Sequence, residues 1–225
     1  MARIPAAERR KDFVVAAVHV IAEHGVDGAT TRRIADRAGA APALVRYCFS
    51  SKELLFAAVH DHLARELHRV IAGADVDGGL AAAAHEILRR VTTHYLRAPD
   101  HVAASVELIN WARRQNVGGA ATVYEQAYRA ARGTLEAAAQ GEVVGPRVTE
   151  QIAHVLSVMS DGFAVNWLTF ADRATAARQA DILVDLLDTF LSAQAVARVP
   201  APCATATAPE CRPKMSALLS WVEVE

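Results

Sequence analysis

The chain is predicted to be all-α and divided into two domains, and three observations carry that expectation. Apolar residues recur at helical spacing through most of the 225 residues. Alternating β-branched runs of the kind that mark strands are scarce. The periodic stretches are separated by short Gly, Pro and Asp-Gly breaks rather than by long polar linkers. Many of the apolar residues are Ala, a strong helix former. A chain of this length can bury a sizeable core.

The first helix is expected over residues 6–24. Phe13, Ala17, Val20 and Ile21 form its apolar stripe. Gly25 ends it, and Asp27-Gly28 signals a turn. Thr30 or Thr31 then caps a short second helix that buries Ile34, Ala35 and Ala38. Gly39 permits the left-handed backbone a tight turn often needs. Pro42 suits the first turn of a short third helix, which puts Leu44, Val45 and Phe49 towards the core. Ser50-Ser51-Lys52-Glu53 reads as a capping box, with Ser50 as N-cap and Glu53 reaching back. The fourth helix follows, with Leu54, Leu55, Ala58, Val59 and Leu63, to about residue 71. Residues 73–79 are a small, acidic, Gly-containing break and the best domain boundary. Further helices are expected over 80–97, 99–115, 120–140, 146–170 and 175–197. Residues 199–213 are rich in Pro, Ala and Thr, so 199–225 is expected to be a disordered tail.

Charge is distributed unevenly. Formal net charge is −1 overall, yet residues 1–52 carry nine Lys/Arg against five acids. A basic N-terminal segment on an acidic body suits a nucleic-acid reader joined to a sensor or oligomerisation domain. Two short helices about a glycine turn are a standard way of placing a helix in the DNA major groove. The domains are thus read as 1–52 for DNA binding, with the helix over 53–71 as connector, and 72–198 for ligand binding and dimerisation.

The ordered set of cap, Ile-Ala core, glycine turn, short helix, aromatic pair and second cap resembles the N-terminal domain of the TetR family of bacterial transcriptional regulators. The likeness covers about residues 8–60, and APALVRYCF followed by SSKELL is similar to the family's recognition helix and the start of its fourth helix. The resemblance implies a three-helix DNA-binding domain ahead of a variable helical domain that binds a small ligand and dimerises. By the same likeness, Thr31, Tyr47 and Lys52 would contact phosphate. Arg32 and Arg33 would lie near the backbone or groove edge, and Ala41, Pro42, Ala43 and Leu44 would face base edges. Arg46 or Arg33 would add to base readout. Cys48 stands where His or Tyr is more usual, and Ala41 where the family often has Ser.

Between helices, a ligand pocket is mostly apolar with a few orienting polar groups. Tyr95, Glu107, Asn110, Trp111, Tyr124, Tyr128, Met159, Phe163, Asn166 and Trp167 are the candidates for it. Ile152, Leu156, Leu183, Leu187 and Phe190 lie on broad apolar stripes of the last two helices and are the candidates for a dimer interface. The resulting expectation is a homodimeric repressor that leaves a palindromic double-stranded operator when a small organic effector binds.

Other classes find less support. HExxH, CxxC, GxSxG, a phosphate-cradling glycine loop and a Glu-x-x-His di-iron pattern are all missing from the sequence, so no catalytic residue, metal or cofactor is expected. A helical protein-interaction bundle without DNA binding leaves the clustered arginines and the short helix pair unexplained. Three cysteines make no disulfide framework, and no apolar run reaches the roughly 20 residues that span a bilayer. Without a signal-peptide pattern at the N-terminus, the expected location is cytoplasmic.

Overall fold

Helix formation follows the apolar period almost throughout. The computed structural model describes residues 5–115, 119–142, 144–145 and 147–196. In these residues the chain forms α1 (Ala6–Gly28), α2 (Thr31–Arg37), α3 (Pro42–Cys48), α4 (Lys52–Ala72) and α5 (Gly79–Arg97). Beyond them come α6 (Pro99–Arg114), α7 (Gly119–Ala138), α8 (Val148–Phe170) and α9 (Arg173–Val196). The fold is all-α: an N-terminal helix bundle followed by a larger helical domain. Cys203, Cys211 and the expected tail over 199–225 lie outside the described residues.

Local chemistry sets the helix ends. Gly25 adopts φ 67° and ψ 174°, which interrupts α1 and leaves a single further turn as far as Gly28. An added Cβ there would also lie 3.3 Å from Glu107 Oε2, so glycine lets α6 approach closely. Thr30 is the cap of α2, its hydroxyl accepting from Arg33 N at 3.2 Å. Gly39, at φ 61°, allows the Ala40 N–H to reach back to Ala35 O at 2.9 Å, closing α2 as glycine commonly does. The cap of α4 is one residue later than the sequence suggests. Ser51, not Ser50, accepts from Leu54 N at 3.2 Å. Glu53 therefore falls inside the first turn, where its own backbone N–H and then the Ser51 hydroxyl hold its carboxyl below the usual range. Ala171, left-handed at φ 50°, ends α8, and the Asp172 carboxylate accepts from the Thr175 N–H at 2.8 Å to start α9.

Two main cores result. Phe13, Ala17, Val18 and Ile21 of α1 meet Ile34, Val45, Phe49, Leu55, Phe56 and Val59 in the first. Ala104 and Leu108 of α6 are buried in that same core. Ile71 at the end of α4 joins Leu80, Ile87, Leu88, Leu135, Ile152, Leu156 and Leu187 in the second. Thus α4 runs from one core to the other, and α6 packs against both α1 and α7. Among the described residues, no helix is long and apolar enough to cross a membrane.

Candidate nucleic-acid interface and ligand cavity

The surface of α3 is laid out by its own short sequence. Val45 turns inward, while Ala41, Ala43, Leu44, Arg46 and Tyr47 are exposed and Pro42 is half-buried. Tyr47 is 79% exposed. Arg32 of α2 has its side chain 86% exposed and lies 4.0 Å from Asp36 of the same helix. Thr31, the first residue of α2, is half-buried at the same end. Exposed helix-start amides and cations of this kind favour phosphate.

Other basic residues are partly committed to the fold. Arg33 donates to Gly28 O at 2.8 Å, and Arg37 pairs with Glu23 at 2.9 Å. Lys52 donates to Val26 O at 3.1 Å and lies 5.1 Å from the centre of the Phe56 ring. Arg10, which sequence reasoning did not single out, donates to Cys48 O and stacks 4.1 Å over Phe49. It ties α1 to the end of α3. Cys48 is half-buried against the first core.

A cavity opens between α4, α5, α6, α7 and α8. Its empty space is about 960 Å³, open solvent at the mouth included. Leu63, Leu67 and Ile71 line it from α4, Ile87, Val91, His94 and Tyr95 from α5, and His101, Val102, Ser105, Val106 and Ile109 from α6. Tyr124, Ala127, Tyr128 and Ala131 of α7 and Ala153, Leu156, Ser157, Ser160, Asp161 and Ala164 of α8 complete it. The walls are mostly apolar with a few polar groups, as small-molecule sites usually are.

Burial dominates the electrostatics. It pushes the Asp161 carboxyl up to about 6, partly opposed by a hydrogen bond from the Tyr124 hydroxyl. Tyr95 and Tyr124 are raised by burial and by the nearby Asp161 charge. His94 and His101 are lowered, chiefly by burial, and the neighbouring His101 adds to the lowering of His94. Their rings meet edge-on, 5.9 Å between centroids, and His62 stands at the same distance from His101. His101 Nδ1 is buried without a hydrogen-bond partner. Among the described residues, no group of three or more His, Cys, Asp or Glu is arranged to hold a metal.

Of the residues the sequence suggested for ligand contact, the cavity gathers Tyr95, Tyr124 and Tyr128. The others lie elsewhere. Trp111 packs edge-on against Phe56, 5.5 Å between centroids, at the joint with the first core. Glu107 sits beside Gly25 of α1, and Asn110 is half-buried on the same helix without lining the cavity. Met159 packs against the second core. Phe163 and Trp167 form a small third core with Ala176, and Asn166 accepts from Gln179 Nε2 at 3.4 Å, linking α8 to α9. Asp161, His94 and His101 were missed. For Asp161 a signal existed, since it is the lone charged carboxylate between Ile152 and Trp167 on a helix rich in apolar residues.

The interface candidates divide in a similar way. Ile152, Leu156 and Leu187 are at most 2% exposed within the single chain, so they are core and have no surface left for a partner. Leu183 and Phe190 are half-buried against that core. The apolar surface of these helices is instead made by Val158, Val165 and Phe170 of α8 and Ile182, Val184 and Leu186 of α9. Both helices are apolar on more than one side, so the stripes alone did not reveal which side faces inward.

Known proteins resemble this chain over both domains. The sequence profile described as "Bacterial regulatory proteins, tetR family" matches residues 13–59. A nicotine-responsive transcriptional repressor, HdnoR of Paenarthrobacter nicotinovorans, is 31% identical over 195 residues, covering 84% of this chain and 97% of the relative. A TetR-family regulator from Streptomyces coelicolor has the same fold, with a TM-score of 0.69 at 17% identity, over 88% of this chain and 85% of its own. A TetR-like regulator from Rhodococcus sp. RHA1 matches with a TM-score of 0.62 at 18% identity, over 84% and 99% of the two chains.

Proposed function

Because the chain belongs to the TetR family of bacterial regulatory proteins, we propose that it is a homodimeric repressor released from a palindromic operator by a small organic molecule. The family as a whole comprises DNA-binding regulators that respond to small-molecule effectors. The observation that carries the ligand-responsive reading is the double role of α6. His101, Val102, Ser105, Val106 and Ile109 face the cavity, while Ala104 and Leu108 are buried in the DNA-binding core. A molecule that enlarges or tightens the cavity acts on α6 and α4 together, and both continue into the first core. It shifts the equilibrium only through its differential affinity for the two arrangements.

In this reading α3 enters the major groove, with Ala41, Pro42, Ala43 and Leu44 against base edges and Tyr47, Thr31 and Arg32 at the phosphates. The apolar surface of α8 and α9 pairs with a second copy. The two recognition helices then meet successive major-groove faces, roughly 34–36 Å apart or a multiple of that spacing. Repression and an organic effector are supported by the relative from Paenarthrobacter nicotinovorans, whose description carries both.

The test is selection of binding sites from a random duplex library with the purified full chain, followed by fluorescence anisotropy. A two-fold symmetric site whose affinity falls steeply with salt is expected. A chain that enriches no duplex, or binds with no dependence on salt, is not a DNA reader.

A further inference from the structure

We infer that the effector is an organic cation, its ammonium centre seated against Asp161 between the tyrosine rings of the cavity and its apolar body lying among the aliphatic side chains. The inference rests on the reading of that cavity as the effector site and names the chemistry it selects. Among the described residues that line the cavity, Asp161 contributes the one carboxylate, and there is neither Lys nor Arg. A carboxylate in apolar surroundings without a counter-ion is unfavourable unless something compensates it. The Tyr124 hydroxyl supplies one hydrogen bond. A cation would supply the opposite charge. Tyr95, Tyr124 and Tyr128 line the same space, and aromatic faces attract cations electrostatically. An anionic effector meets the reverse situation: a like charge at Asp161 and no basic side chain to receive it.

Neighbouring titratable groups do not offset this preference. Tyr95 of α5 and Tyr124 of α7 are both shifted towards their neutral forms. His94 of α5 and His101 of α6 are likewise biased towards neutral imidazole, so they contribute hydrogen-bonding atoms rather than positive charge. The apolar walls exclude a small, fully hydrated ion such as ammonium itself. What fits is an amine protonated at neutral pH, or a quaternary ammonium, carried on an apolar body.

Benzyltrimethylammonium, its uncharged isostere neopentylbenzene and the anion 3-phenylpropanoate form a suitable probe set, with binding to the full chain followed by calorimetry and thermal shift. Benzyltrimethylammonium is expected to bind once per subunit and more tightly than the other two. Asp161→Asn should weaken it by about tenfold or more, and Asp161→Glu, which keeps the charge, should retain the preference for cation over isostere. The inference is overturned if benzyltrimethylammonium does not bind. It is equally overturned if Asp161→Asn leaves its affinity unchanged, or if 3-phenylpropanoate binds more tightly. DNA release is read separately on the selected duplex. Release by uncharged or anionic compounds alone, unaffected by Asp161→Asn, would overturn the cation and leave the regulatory reading standing. Asp161-dependent cation binding by a chain that binds no duplex would do the opposite.

Discussion

Tyr47 tests the proposed phosphate contact in a way that Lys52 does not. Its ring is largely exposed, so Tyr47→Phe should leave stability unchanged and weaken binding to all duplexes about equally, as anisotropy on matched and scrambled sites would show. Lys52→Ala removes the bond to Val26 O and the contact with Phe56 as well, so its effects on binding and folding are entangled. Asp161 makes a second residue-level case. Its carboxyl titrates at about 6 in the fold against an ordinary 3.8, so the ionised form is less favourable folded than unfolded. Below about pH 4 the group is protonated in both states and carries no penalty. The penalty grows as pH rises and is complete above about pH 6. Asp161→Asn should therefore raise the melting temperature at about pH 8 and change it little at about pH 4, with the crossover between. A melting temperature lowered at the higher pH would mean that the carboxylate is already compensated within the fold.

Among the helices, the sequence revealed existence and order far better than orientation. The helical period and the breaks at Gly25, Gly39, Gly73 and Pro99 locate α1 to α6 within a few residues, because each break has a local backbone cause. Orientation is a tertiary property. Helix α8 carries Ile152, Leu156 and Phe163 inward and Val158 and Val165 outward, and hydrophobicity alone does not separate the two sets. Asn110-Trp111 and Asn166-Trp167 look like pocket chemistry in a list of residues, yet Trp111 belongs to the joint between α4 and α6. Trp111→Ala should accordingly destabilise the chain by about 3 kcal/mol, the lower end for a ring that is partly exposed, measured by urea unfolding. Trp111→Phe should recover most of that loss. Ser51→Ala should lose about 1 kcal/mol of stability, and Ser50→Ala far less, because only Ser51 caps α4.

For the whole molecule, the decisive contrast lies on α9. Ile182 and Leu186 are more than half exposed in the single chain, whereas Leu187 is fully buried. Ile182→Glu and Leu186→Glu should give folded monomers by light scattering, with circular dichroism preserved. Leu187→Glu places a charge in the second core and should unfold the chain instead. Folded dimers of both Ile182→Glu and Leu186→Glu would remove this face from the assembly.

The sharing of α6 between two cores also limits how the molecule can be divided. The break at Gly73 separates two stretches of sequence, but it does not separate two self-sufficient folding units. A fragment ending at Ala72 would lack Ala104 and Leu108 and would expose the apolar surface of α1 that they cover. Cutting there to exchange sensors between relatives would leave a reader with a gap in its interior. A working chimera has to transplant the α1-facing side of α6 together with the reader, or redesign α1 to match a new one.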